Sequence, residues 1–128
     1  MSTDWRSIPK IDVHAHVVLH SRENTDLTLH PPEEQLRAME THNVTQAVIL
    51  QINYPDYFPL LPEQREDWLR ANNEIQARLM RESDGRFVAF SDCRIDGPYA
   101  AEERSRIALT HAFETLGLRG LKIHPSNL

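Results

Sequence analysis

Two histidines near the N-terminus, His14 and His16, are separated by a single residue. Side chains alternate along a β-strand, so a strand here places both imidazoles and Asp12 on one face. Ile11 and Val13 then lie on the opposite face, where we expect them to contact helices. Neutral imidazole nitrogens bind zinc, iron, nickel or manganese to varying degrees. The spacing therefore predicts that His14 and His16 are metal ligands, although paired histidines at strand ends also occur without a metal.

A second group of polar residues lies near the C-terminus, where Lys122 and His124 alternate with Leu121 and Ile123. If this segment is a buried strand, a lysine and a histidine on its inner face are costly unless they have a partner or a function. We therefore predict a catalytic role for Lys122 and His124. The alternative for Lys122 is a salt bridge to Asp12 or contact with a carboxylate of the substrate.

Three further residues between these segments carry weaker predictions. Arg94 follows the third predicted strand, where it is placed to bind a substrate carboxylate through two hydrogen bonds. Tyr54 belongs to an aromatic loop with Tyr57 and Phe58, which predicts either a wall of the substrate site or packing against a neighbouring loop. Cys93 is the single cysteine, so no internal disulfide forms, and we expect it to be a small buried residue.

Extended and helical patterns alternate along the chain. Ala47 to Leu50 form an apolar run without alternation, as in parallel strands that are buried on both faces. Leu109, Ala112, Phe113 and Leu116 have helical spacing and predict one buried helix face. A polar loop is predicted from the first strand to Pro31. The predicted strands are 10–16, 44–52, 86–90 and 118–124, and the predicted helices are about 32–43, 64–83 and 100–116.

This order predicts an α/β architecture in which helices connect parallel strands. Either an open doubly wound sheet or a (β/α)8 barrel satisfies that order. In both folds, buried apolar residues such as Leu36, Met39, Ile75 and Leu79 face the sheet, and Gly85 and Gly117 end helices.

Composition and charge restrict the partners and the location. The 128 residues carry a formal net charge of -5, which argues against a nucleic-acid backbone as the main partner. No apolar run approaches the roughly 20 residues that a membrane-spanning helix needs, and no signal-peptide core is present. A cytoplasmic protein with a small-molecule substrate is the resulting expectation.

The ordered pair of motifs, IDVHAH at 11–16 and GLKIHP at 120–125, resembles the amidohydrolase superfamily, especially its amidohydrolase-related branch. The resemblance covers the whole chain but only the first half of a family domain. It implies the N-terminal half, about four βα units, of a (β/α)8 TIM-type barrel with a mononuclear or dinuclear metal centre. It also implies that His14 and His16 are ligands. Lys122 falls in the strand where some members place a carboxylated lysine that bridges two metals.

The resemblance implies a metal-dependent hydrolase that acts on a small-molecule amide, an ester or lactone, or a carboxylated substrate through metal-activated water. Zinc is the expected metal, with manganese and iron as alternatives. Decarboxylases of the same branch are a second reading, and TatD-type nucleases or phosphoesterases are a third. The later ligands of the family are absent, so we expect residues 1–128 to be a single partial domain with an incomplete catalytic apparatus. A non-catalytic half-barrel remnant or interaction module is the remaining alternative.

Four barrel strands leave two unpaired edges, and exposed edges favour pairing with another chain. We therefore expect either a homo-oligomer that completes the barrel or a flattened sheet.

Overall fold

The structure is a computed structural model, and it describes residues 4–20, 27–50, 62–92 and 100–123. A short 3-10 helix, Trp5–Ser7, precedes the first strand. The strands are β1 (Lys10–Ala15), β2 (Val18–His20), β3 (Leu27–Leu29), β4 (Val44–Ile49), β5 (Phe87–Asp92) and β6 (Gly120–Lys122). The helices are α1 (Pro32–Thr41), α2 (Pro62–Glu82) and α3 (Ala100–Thr110), and α3 continues into a π-helical turn, His111–Thr115.

Four of these strands form one sheet in the order β1-β4-β5-β6, and all three pairings are parallel. The chain passes from β4 to β5 through α2 and from β5 to β6 through α3. Helix α1 packs against β4, and α2 packs against β5. The predicted architecture of parallel strands connected by helices is confirmed.

The main core lies between α1, α2 and the face of the sheet that they cover. Met39 of α1 and Leu79 of α2 are buried there, as predicted, and Leu36 and Ile75 pack at its margin. The strands contribute Ala47, Ile49, Phe87 and Ala89. Gly85 and Gly117 have φ values of 75° and 72°, so each provides the left-handed residue expected just after a helical segment.

The prediction that helices cover Ile11 and Val13 is wrong. Ile11 is 59% exposed and Val13 is 71% exposed, because α1 and α2 pack on β4 and β5 while β1 lies at the edge of the sheet. Alternation along the strand shows that the two side chains share a face. It does not show whether another element covers that face.

The predicted polar loop after the first strand is also wrong in part, because β2 and β3 form an antiparallel pair within it. The register joins Val18 to Leu29 and His20 to Leu27. One further hydrogen bond joins the residues that flank this pair, because the amide of His30 donates to the carbonyl of Val17 at 2.8 Å.

The last predicted helix changes geometry at His111. The amide of Leu116 donates to the carbonyl of His111, five residues earlier, at 3.0 Å. This π-helical spacing changes the angle between successive side chains. Ala112 is fully buried, but Phe113 is 38% exposed, so the prediction that Phe113 is buried is wrong.

Within the described ranges, no helix combines the length and the apolar composition that crossing a bilayer requires.

Candidate metal centre

His14 and His16 lie at the carboxyl end of β1, on either side of a buried residue. Ala15 and Val17 are both buried, so their side chains fix the backbone that carries the two imidazoles. The carbonyl of Ala15 accepts a hydrogen bond from the amide of Leu50 at 2.8 Å, which ties this segment to the end of β4. The strand is irregular between Asp12 and Ala15. The carboxylate of Asp12 accepts a hydrogen bond from the amide of His14 at 2.9 Å there.

The two imidazoles converge. Their Nε2 atoms are 3.1 Å apart, and the rings meet edge to face with centroids 4.9 Å apart. Nδ1 of His16 lies 2.9 Å from the carbonyl oxygen of Leu50. A carbonyl only accepts, so His16 carries its proton on Nδ1 and directs the lone pair of Nε2 toward His14.

This geometry fits a shared metal ion. With bonds of about 2.0–2.1 Å to zinc, two ligand nitrogens lie about 2.9 Å apart at a right angle and about 3.4 Å apart at the tetrahedral angle. The observed separation of 3.1 Å falls between these values. The contact of His16 with Leu50 also matches the usual arrangement, in which the second ring nitrogen of a metal-binding histidine donates to a carbonyl or carboxylate.

The charge state of His16 suits a ligand. Its pKa is held below the ordinary value of 6.5, chiefly because burial disfavours the charged ring. The carbonyl of Leu50 opposes this effect, while the positive charge of Lys122 adds to it. His16 is therefore neutral near pH 7 and keeps a lone pair available on Nε2.

Lys122 comes from the opposite edge of the sheet. It is aligned with Asp92 on β5, is half-buried, and acts electrostatically on His16 of β1. In a flat sheet, three strand spacings of about 4.8 Å would separate β1 from β6 by roughly 14 Å. The influence of Lys122 on His16 fits a sheet that curves and brings its outer strands toward one side.

The described ranges supply two candidate ligands, His14 and His16. They contain no group of three or more His, Cys, Asp or Glu side chains that could hold one ion. The predicted site residues His124, Arg94 and Tyr54 lie outside the described residues, so their predictions stay predictions. Nδ1 of His30, the residue that follows β3, lies 4.0 Å from a carboxylate oxygen of Glu34 on α1, and 43% of the His30 side chain is exposed.

Sequence reasoning missed the two groups that hold the histidines in place. The carbonyl of Leu50 has no signature in a side-chain motif, although Leu50 lies in the strand predicted at 44–52. Asp12 is predicted to share a face with the histidines, but its role as acceptor for the His14 amide depends on the irregular backbone of β1.

The fold that carries the two histidines is similar to that of several solved structures. No family model matches the sequence, and no curated protein matches it significantly. Ten chains of solved structures match it. A Staphylococcus aureus protein assigned as an amidohydrolase has a TM-score of 0.69 at 21% identity over 91% of this chain. A 2,6-dihydroxybenzoate decarboxylase from Rhizobium has a TM-score of 0.64 at 16% identity over 88%.

The chain is a half-barrel. It matches part of the (β/α)8 barrel of each of these two structural neighbours and spans 37% of the length of each. A structure of 2,6-dihydroxybenzoate decarboxylase in complex with 2,6-dihydroxybenzoate matches with a TM-score of 0.59 and 20% identity, over 73% of the half-barrel and 28% of that chain. The predicted fold is thereby confirmed.

Proposed function

We propose that this half-barrel belongs to a metal-dependent hydrolase of the amidohydrolase-related type. Its substrate would be a small molecule with an amide, an ester or lactone, or a carboxylate. The observation that carries the proposal is the convergence of the His14 and His16 Nε2 atoms at 3.1 Å. The fold supports it, because active sites of (β/α)8 barrels lie at the carboxyl ends of the strands, where both histidines lie.

The proposed roles follow from the contacts. His14 and His16 hold a divalent cation, and zinc is the first candidate because imidazole suits it; manganese and iron are alternatives. When bound, such an ion supplies Lewis-acid chemistry to a carbonyl or carboxylate of the substrate. The Leu50 carbonyl orients His16, and the Asp12 carboxylate holds the backbone of His14.

Lys122 is proposed to supply positive charge near the histidines. Its effect on the pKa of His16 indicates that the charge reaches the site. We assign it to attracting the negative oxygen of a substrate, since a carboxylate or a polarised carbonyl is stabilised by a nearby ammonium group. His124, Arg94 and Tyr54 are proposed as further catalytic and substrate-binding residues on sequence grounds alone.

The direct test is metal binding by matched histidine variants. Zinc content after dialysis is measured for the wild-type chain and for His14→Ala, His16→Ala and His42→Ala. We expect bound zinc in the wild type, a zinc content at least tenfold lower in the first two variants, and an unchanged zinc content in the third. His42 is the matched control because it is exposed at the end of α1. Equal zinc in all four proteins would refute the assignment.

Carbon–carbon cleavage is the second candidate, and the two structural neighbours described as 2,6-dihydroxybenzoate decarboxylases favour it. The measurement that separates the candidates supplies the zinc-loaded protein with either an amide or lactone panel or 2,6-dihydroxybenzoate. Release of carbon dioxide with formation of the dihydroxybenzene supports decarboxylation. Turnover of the panel alone supports hydrolysis.

A further inference from the structure

We propose that Phe90 is a specificity-determining residue of the site, and that its ring supports the flat part of a substrate acid held beside His14 and His16. This role rests on the proposed function, because it concerns a substrate at the same histidine pair. It deepens that function by naming the substrate class, which is an aromatic or conjugated planar acid in preference to a saturated acid of the same size.

Phe90 faces away from the helices. Its neighbour on β5, Ser91, is fully buried and accepts a hydrogen bond from the side-chain amide of Asn73 on α2 at 3.1 Å. Ser91 therefore faces the helix-covered side of the sheet. Side chains alternate along a strand, so the half-buried Phe90 lies on the opposite, inner side.

His16 lies on the same side as Phe90 and at the same level. Ala15 is buried in the core and aligned with Ile49 on β4, which is aligned in turn with Ala89 on β5. His16 and Phe90 each follow a member of this row, so both face inward and lie one step nearer the carboxyl ends of the strands. Two strand spacings of about 4.8 Å place the backbones of β1 and β5 roughly 10 Å apart.

The ring of Phe90 lies flat on the neighbouring strand. A Cβ atom on Gly120, its aligned partner on β6, would be 2.6 Å from Cζ of Phe90 and 2.7 Å from both Cε atoms. Nearly equal distances place that Cβ over the face of the ring, because a position beyond its edge would be clearly nearer to Cζ. Side chains stand roughly perpendicular to a sheet. One face of the ring therefore covers Gly120, and the other points toward the interior of the barrel.

Lys122 lies one step further along the same inner side. It follows Gly120 by two residues and is aligned with Asp92, which follows Phe90 by two residues. The sheet order places β5 between β1 and β6. A substrate that reaches from the histidine pair toward the ammonium group of Lys122 therefore crosses the ring of Phe90. This arrangement suits an anionic group attached to a flat ring.

A flat ring gains more from this surface than a saturated one does. Both bury apolar area against Phe90, but an aromatic ring can also stack on it in an offset arrangement. Stacking of this kind strengthens binding roughly two- to tenfold beyond the burial of area. Preference for planar acids over saturated acids is therefore the property that the aromatic side chain supplies.

Equilibrium binding of two matched acids tests this role. Benzoate and cyclohexanecarboxylate have equal charge and equally many ring carbons, but only the benzoate ring is flat. Each is titrated into the zinc-loaded protein by isothermal titration calorimetry. We expect wild type and Phe90→Tyr to bind benzoate roughly two- to tenfold more tightly than the saturated acid, and Phe90→Leu to bind both about equally. Phe113→Leu, the same substitution at an exposed position of the π-helical turn, is the control and should keep the wild-type ratio.

A measurement on the wild-type protein needs no variant, so poor folding of Phe90→Leu does not obscure it. Nuclear Overhauser effects are recorded between bound benzoate and the isotope-labelled phenylalanine rings. We expect contacts with the ring protons of Phe90 and none with those of Phe113. The role is overturned if benzoate contacts no proton of Phe90, if the wild type binds neither acid, or if Phe90→Leu keeps the wild-type preference.

The outcomes also separate this role from the proposed function. Zinc that is bound through His14 and His16, together with a preference that does not depend on Phe90, overturns the specificity role and leaves the metal-dependent function in place. Failure of the two histidines to bind zinc overturns the metal-dependent function and, with it, the role of Phe90.

Discussion

The geometry of the histidine pair depends on neighbouring groups outside the pair. Two buried small side chains, Ala15 and Val17, flank His16 and fix the strand end. The carbonyl of Leu50 then fixes which nitrogen of His16 carries the proton. The spacing of His14 and His16 in the sequence was enough to predict the pair. The tautomer depends on a backbone atom of the neighbouring strand, so no pattern of side chains could reveal it.

His16 in the metal-free protein should titrate below its ordinary pKa of 6.5, because burial outweighs the opposing Leu50 contact. The folded chain then binds fewer protons at His16 than the unfolded chain does. The free energy of unfolding should consequently decrease as pH falls through 6.5 toward the lowered pKa. Two-dimensional NMR of the imidazole resonances, recorded as a function of pH, measures the pKa of His16. In Lys122→Met the pKa should rise but stay below 6.5, since burial is the larger cause; a wild-type value of 6.5 or higher would contradict the assignment.

Gly120 is required by the ring of Phe90, its aligned partner on β5. A Cβ atom at Gly120 would lie 2.6 Å from Cζ of Phe90, well inside van der Waals contact. Gly120→Ala should therefore lower the free energy of unfolding by about 1–3 kcal/mol, the usual cost of overpacking. Urea denaturation measures the change. In a Phe90→Leu background the alanine should cost less, and an equal cost in both backgrounds would show that the ring is not responsible.

Helix α2 buries polar side chains that the sequence pattern did not identify. Asn72 is 0% exposed and Gln76 is 1% exposed. Neither side-chain amide has a hydrogen-bond partner in the described part of the chain, although Asn73 beside them donates to Ser91 of β5 at 3.1 Å. Helical periodicity identified Ile75 and Leu79 as buried because they are apolar. The same periodicity assigns a buried amide to solvent, so the polar part of this interface was not predictable.

Replacing these amides should stabilise the chain. Asn72→Leu or Gln76→Leu removes a buried group without a partner, which usually costs about 1–3 kcal/mol, so the free energy of unfolding should rise by a similar amount. Chemical denaturation monitored by circular dichroism measures it. Glu74→Leu, at an exposed position of the same turn, should change stability by less than about 0.5 kcal/mol. A loss of stability in both amide variants would indicate that these groups have partners in solution.

The other elements were predicted correctly where their sequence pattern is long, and they were missed where it is short. The apolar run of β4 and the long periodic helices were found, because burial on both faces or along one face leaves a repeated signal. Strands β2 and β3 have three residues each, too few to show alternation. The π-helical turn after Thr110 departs from the 3.6-residue period, so the period misplaced Phe113.

The half-barrel has a buried core under its helices and an outer strand, β1, with exposed apolar side chains. Ala47, Ile49 and Ala89 pack under two helices, while Ile11 and Val13 on β1 stay exposed. Strand order and helix connections were predictable because they follow from the order of patterns along the chain. Whether another element covers the side chains of β1 was not predictable, since this depends on what lies beside an edge strand.

Binding of a metal ion by His14 and His16 should stabilise the folded chain. An ion that binds the folded chain and not the unfolded one adds about 2.7 kcal/mol at 100 times its dissociation constant. For a chain of this size, that corresponds to a rise in the unfolding temperature on the order of 5–10 °C. Differential scanning fluorimetry with and without excess zinc measures it. His14→Ala/His16→Ala should show no rise and His42→Ala the full rise, because the ion acts only through the pair at the end of β1. An equal rise in all three proteins would mean that zinc stabilises the fold from a different position.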